Sequence, residues 1–231
     1  MQNGNMLFLI AGSTGAGKTT VIKRAIEIFG KQNLDTFPTC TTRTPRQGEQ
    51  NGRDYIFFDK DDFRAAIRRH DVVEAKKVYN NFYGTHLPVI LDKMQQTKVL
   101  IKDFDVEGYQ NVMRRIDYGL SMRCEPILPM VSVLIDAPDE ILLSRICGRN
   151  DNTNVAERQT YLSHERECKS RNVYSYRIDN SQDTPTPCLN TLCDIINQEY
   201  ARHYGTPLQE LPTNRTPMNT EVDAAEVQAK I

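Results

Sequence analysis

Leu7-Phe8-Leu9-Ile10-Ala11 is an unbroken apolar run near the start of the chain. A run of this kind predicts a strand buried on both faces, as in a parallel sheet. A glycine-rich stretch, Gly12 to Gly17, interrupts it. Val21, Ile22, Ala25, Ile26 and Phe29 then recur at helical spacing, and Gly30 ends the helix. Strand, tight turn and helix make the first half of a βαβ unit.

The alternation continues downstream. Polar residues with Pro45, Gly48 and Gly52 as breakers predict a structured loop from Pro38 to Gly52. Tyr55 to Phe58 reads as a short strand, and a helix opens at Asp59 to Asp62 and runs through Arg69. Val72 to Tyr79 and Phe82-Tyr83 read as strands, Leu87 to Gln95 as a short helix, Val99 to Val106 as a strand and Gly108 to Arg115 as a helix. Gly119, Pro126 and Pro129 mark Asp117 to Met130 as a loop. Val131 to Ile135 and Tyr174 to Ile178 are strands; Pro138 to Cys147 and Pro185 to Tyr204 are helices. After Gly205 apolar residues thin out and Pro207, Pro212 and Pro217 break the chain, so 206–231 is expected to be a mostly disordered tail. Strands alternating with helices predict an α/β fold with a mainly parallel central sheet, and in such sheets ligands bind beyond the carboxyl ends of the strands.

Composition narrows the function classes. The 231 residues suffice for one domain with a sizeable core. Lys and Arg total 29 against 30 Asp and Glu, so no global field favours nucleic acid or an anionic membrane, and neither is an expected partner. No apolar stretch is long enough to span a bilayer, and Met1 to Met6 carries no signal pattern. The six cysteines form no C-x-x-C pair, which argues against zinc and for reduced thiols in the cytoplasm.

Gly12-Ser13-Thr14-Gly15-Ala16-Gly17-Lys18-Thr19 fits G-x-x-x-x-G-K-[ST] in full. The glycines let backbone N–H groups close around phosphate oxygens. Lys18 reaches the β- and γ-phosphates and the Thr19 hydroxyl suits Mg²⁺. With Thr20 this loop is the expected ATP site. The motif serves kinases and GTPases alike, but the chain has no N-K-x-D guanine signature.

Thr39 to Glu49 sets Arg43 and Arg46 three residues apart in a loop shaped by Pro45 and Gly48, and Asn51-Gly52-Arg53-Asp54-Tyr55 follows. Guanidinium forks suit phosphate oxygens, and hydroxyls complete such a cage. Here the chain closely resembles guanylate kinases. Their T-T-R-x-P-R-x-G-E-x-x-G-x-D-Y block stands as Thr41 to Tyr55, their Y-G-[ST] motif as Tyr83-Gly84-Thr85, and a D-x-D pair as Asp103-Phe104-Asp105. The resemblance spans about residues 6 to 200. It implies that Arg43, Arg46, Tyr55 and Tyr83 hold the GMP phosphate, with Thr39 where the family has a serine. It implies that Glu74, Thr85 and Asp105 read guanine, whose N1–H and N2 amino group suit carboxylates. Asp103 and Asp105, two apart on a strand, share a face near the ligand end; Asp103 suits Mg²⁺ through water.

Arg145, Arg149 and Arg158 match lid arginines of that family, which stabilise the charge that spreads over a transferring phosphoryl group. Asn180 matches a position near adenine. Arg166 and Arg171 read instead as salt-bridging residues on an exposed helix face. The chain departs from the family at Lys102, in the long 117–130 connection, in the missing acidic residues at 150–155 and in the tail. The expectation is a P-loop kinase, 1–205, with a GMP-binding subdomain at about 37–88 and a mobile lid at about 148–170, transferring phosphoryl from ATP to GMP with Mg²⁺. A non-catalytic guanylate-kinase-like protein-binding module, or a kinase for another phosphorylated acceptor, stays open at this point.

Overall fold

The computed structural model describes residues 4–106, 109–125, 128–148, 155–171 and 173–211, without the side chains of 110, 111 and 155–161. The chain runs through β1 (Met6–Ala11), α1 (Lys18–Phe29), β2 (Leu34–Asp35), β3 (Thr39–Thr41), β4 (Tyr55–Phe57), α2 (Lys60–Arg68), β5 (Val72–Val78) and β6 (Asn81–His86). It continues through α3 (Leu87–Met94), β7 (Val99–Phe104), α4 (Tyr109–Met122), β8 (Met130–Asp136), α5 (Asp139–Cys147), α6 (Val155–Arg171), β9 (Tyr176–Asp179) and α7 (Thr186–Tyr204).

The central sheet has the order β2-β7-β1-β8-β9, and every pairing in it is parallel. β1 lies in the middle, and its alternate residues feed two cores. Met6, Phe8 and Ile10 pack with Val21, Ala25 and Phe29 of α1 and with Leu192 and Ile196 of α7. Leu7 and Leu9 pack with Leu87 and Ile90 of α3 and with Val112, Ile116 and Leu120 of α4. A strand covered on both faces has no polar side to show, which is why its sequence is continuously apolar.

A second sheet, β4-β3-β6-β5, stands apart from the first. β3 runs parallel to β4 and antiparallel to β6, and β5 and β6 form a hairpin. α2 covers this sheet: Phe63 and Ala66 bury against Cys40 and Val72. Asp59 caps α2, its carboxylate accepting from the N–H groups of Asp61 and Asp62.

Three sequence expectations change. The stretch 38–52 holds a strand, β3, whose three residues are too few and too polar to show as one. The 117–130 segment is not all loop, because α4 continues to Met122. Gly119 is a contact there and not a breaker: a Cβ on it would stand 2.5 Å from Val73 Cγ1. Val112, Ile116 and Leu120 bury one face straight past it, each contributing about 1.5–3 kcal/mol.

The third change is at the C-terminus. Leu208 is 5% exposed and joins the core beside α7. Gln209 N–H donates to Asn197 Oδ1, Asn197 Nδ2 donates to Gln209 O, and Gln209 Nε2 donates to Ile28 O. The packed chain therefore runs past Gly205; residues 212–231 lie outside the described ones. Ending the chain after Gly205 should lower the melting temperature by about 5 °C relative to a chain ending at Leu211. Equal melting curves would show that Leu208 and Gln209 add nothing.

Candidate active site

The phosphate loop joins the carboxyl end of β1 to the N-terminus of α1. Gly17 takes φ +86°, a left-handed conformation that glycine adopts without strain. A Cβ on it would lie 2.5 Å from Asn180 Nδ2. Asn180 itself donates from Nδ2 to Ala16 O at 2.8 Å, and its N–H donates to Asp136 O. The residue expected near adenine thus clamps the loop from the next strand but one. Lys18 Nζ donates to Gly12 O at 2.6 Å and to Ser13 O at 3.1 Å, so it curls over its own loop. Thr19 and Thr20 are exposed at the start of α1.

Arg145, at the end of α5, donates from Nη1 to Asn180 O and from Nη2 to Gln182 O. It fastens the β9–α7 turn beside a cleft lined by Pro138, Ile141 and residues 181–184. Arg149 lies outside the described residues, as does the side chain of Arg158, although residue 158 falls on α6. Arg171 pairs with Glu167 one turn back on the exposed face of α6, as expected, whereas Arg166 bridges from α6 to Asp139 of α5.

The second sheet gathers the acceptor residues. Thr39 and Tyr55 are register partners on β3 and β4. Arg43 follows β3, its guanidinium 5.5 Å from the centre of the Tyr55 ring and 5.9 Å from that of Phe57. The Tyr55 and Tyr83 rings meet edge to face at 6.1 Å. Glu49 organises this corner. It accepts from Arg43 Nη2 at 2.8 Å and from the Arg46 N–H at 2.7 Å, and the Arg43 guanidinium holds its carboxyl below the usual range. The Arg46 side chain stays exposed.

Glu74 and Thr85 face each other across β5 and β6, with Thr85 Oγ1 donating to Glu74 Oε2 at 3.4 Å. Burial pushes the Glu74 carboxyl up, and the charge of Asp105 pushes it further. Asp105, just past β7, pairs with Lys76 of β5 at 3.6 Å. That pair joins the second sheet to the ligand end of the first. Asp103 is the last residue but one of β7, the strand next to β1, with Ile10 as its register partner. Lys102 has its Nζ 4.0 Å from Asp103 Oδ1 and lies over the Phe37 ring, which accommodates a cation in a central strand.

Sequence reasoning quoted Glu49 without giving it a role, and missed Lys76 and a pair on α6. Glu165 and Lys169 are 3% and 6% exposed, one helical turn apart. Lys169 Nζ donates to Asp136 Oδ1 at 2.8 Å, at the carboxyl end of β8. The signal for this pair was the i,i+4 spacing of opposite charges, which reads by itself as a solvated helix face.

A sequence model of the guanylate kinase family matches residues 4–198. A guanylate kinase of Dechloromonas aromatica is 34% identical over 177 residues, 76% of this chain and 81% of that protein. One from Geobacter metallireducens is 31% identical over 184 residues, 79% of this chain and 84% of that protein. The crystal structure of a guanylate kinase from Anaplasma phagocytophilum superposes with a TM-score of 0.57 at 21% identity, over 87% of this chain and 88% of the other, which bears on the fold. Matched along most of its length both by the family pattern and by these relatives, the chain belongs to the guanylate kinase family.

Proposed function

We infer that the chain transfers the γ-phosphoryl group of ATP to GMP, giving ADP and GDP. One observation carries the assignment of the acceptor. Glu74 and Thr85 of the small sheet, which also carries Tyr55 and Tyr83 and leads into Arg43, meet the charge of Asp105 from the end of β7. A base edge rich in donors fits Glu74, Thr85 and Asp105, and a phosphate fits Arg43 and the two tyrosines.

The donor nucleotide sits with its phosphates in the loop Gly12–Thr19 at the N-terminus of α1, where backbone N–H groups and the helix dipole favour anions. The cleft beside Arg145, with Asn180 behind the loop, takes the adenine. Lys18 leaves its loop carbonyls for the β–γ region. Arg43 turns from Glu49 to the GMP phosphate, with Arg46, Thr39, Tyr55 and Tyr83 around it. The acceptor oxygen is already an anion, so no strong base is needed, and the residues act by position and charge. Arg149 and Arg158 close over the transferring group. The segment at about 148–170 is the lid and 37–88 the acceptor subdomain.

Mg²⁺ fits the donor set. Thr19 and Asp103 offer oxygen ligands at the open end of the sheet, and the ion takes few protein ligands when phosphates supply the rest. When bound it neutralises phosphate charge. Among the described residues no helix is long and apolar enough to cross a membrane. A cytoplasmic setting without nucleic-acid or membrane partners suits this reading, and burial pushes the thiols of Cys40 and Cys188 up to about 12, away from reactive thiolate.

ADP release measured over a panel of nucleoside monophosphates tests the assignment, with GMP expected to lead. Arg43→Ala should weaken GMP and AMP alike, by roughly 10- to 100-fold, since one charge-assisted contact is lost from each. A change in the GMP-to-AMP ratio would move Arg43 to the base.

A further inference from the structure

Glu165 is the most deeply buried carboxylate that the reading above leaves unused. Its helix, α6, is fastened where the phosphates are expected. Leu162 joins the main core, Lys169 holds Asp136 at the end of β8, and Arg166 holds Asp139 at the start of α5. Those three anchors lie on both sides of Glu165, and they turn it into the mouth of the phosphate loop. The Ser13 hydroxyl and the Thr14 N–H face its carboxylate, and the Lys18 charge is within range.

The seat is a poor one. Glu165 Oε2 and Ser13 Oγ are both buried, and neither completes a hydrogen bond. Burial also pushes the Glu165 carboxyl up. The Thr14 N–H meets part of the carboxylate's need, and Oε2 is left without a partner. The donors around it are those of an anion site, which tetrahedral phosphate fills better than a planar carboxylate does. Ser13 and Thr14 precede the start of α1 by five and four residues in the loop, and the oxygens that would compete for this place are those of the terminal phosphate.

We propose that Glu165 is a residue of the donor site: its carboxylate occupies the γ-phosphate end of the loop when nucleotide is absent, and withdraws when ATP enters. The proposal rests on the ATP-binding reading above. It makes the terminal phosphate compete with a group on α6. ADP, which lacks that phosphate, leaves the carboxylate in place. ATP and ADP are then discriminated by whether α6 gives up its contact, and arrival of the third phosphate is reported to the lid helix directly.

Titration calorimetry with a non-hydrolysable ATP analogue and with ADP, each with Mg²⁺, tests this on the wild type and on Glu165→Gln. The amide keeps the shape and removes the charge. The variant should bind the ATP analogue about tenfold more tightly, because a like charge no longer faces the terminal phosphate, while ADP affinity moves less than about threefold. Should the amide not pack, Glu165→Ala carries the same expectation, and melting curves establish that each variant is folded. Unchanged or weakened binding of the ATP analogue would overturn the proposal, and so would an equal gain for ADP. If the wild type binds neither nucleotide, the ATP-site reading itself has failed, which is a separate outcome.

Discussion

Lys18→Ala should lower kcat for GMP phosphorylation by about 10²- to 10³-fold, the cost typical of removing one donor from developing charge in a preorganised site. The melting temperature should hold. In the structure Lys18 Nζ donates to two carbonyls of its own loop, Gly12 O and Ser13 O, on a side chain that is only partly buried. GMP affinity should hold as well, because the acceptor residues lie on the other sheet, with Asp105 alone reaching them from the end of β7. Turnover within about tenfold of wild type would mean that phosphoryl transfer does not pass through this loop.

GMP should exceed AMP in kcat/KM by about 10⁴, the discrimination that a hydrogen-bonding site reaches against an analogue lacking the group it binds. The physical origin is the pair Glu74 and Asp105. They repel, and burial has raised the Glu74 carboxyl already. Guanine brings N1–H and an amino group to them. Adenine brings a lone pair at N1 and no 2-amino group, so neither carboxylate gains a donor from the base, at roughly 1–3 kcal/mol each. Glu74→Gln should therefore cut GMP turnover and narrow the gap to AMP. If AMP serves as well as GMP in the wild type, the base is read by other residues.

Much of this site is legible in the sequence because its parts are local. The phosphate loop needs glycines and a lysine at fixed offsets within one turn. The block Thr41 to Tyr55 packs arginines, a glutamate and a tyrosine into one loop of the second sheet. β1, β7 and β8 announce themselves as apolar runs because both of their faces are covered. β2 and β3 do not, being two and three residues long. α4 was cut short because Gly119 signals a turn in isolation, and only the Val73 side chain pressed against it gives the reason for a glycine within a helix. α6 was the hardest to read. Over 162–171 its most buried residues are Leu162, Glu165 and Lys169, so two of the three positions facing the core are charged. Hydrophobic patterning sees such a helix as solvated. What buries it is an ion pair and an anion site contributed by β8 and the phosphate loop, and no local window contains those partners.

The clamp from Asn180 to Ala16 spans 164 residues of chain. β1 also waits for its neighbours, since its partners are the strands beginning at Val99 and Met130. The segment that carries the phosphate loop is synthesised before the residues that complete it. Until Asn180 has been synthesised and β9 has docked, Ala16 lacks this partner and Gly17 has nothing against its α-carbon. Contacts that close such long stretches of chain are late and slow to form. Nucleotide therefore acts as a seal on a completed sheet and not as a seed for it: a newborn chain gains no help from ATP until nearly all of the fold is in place.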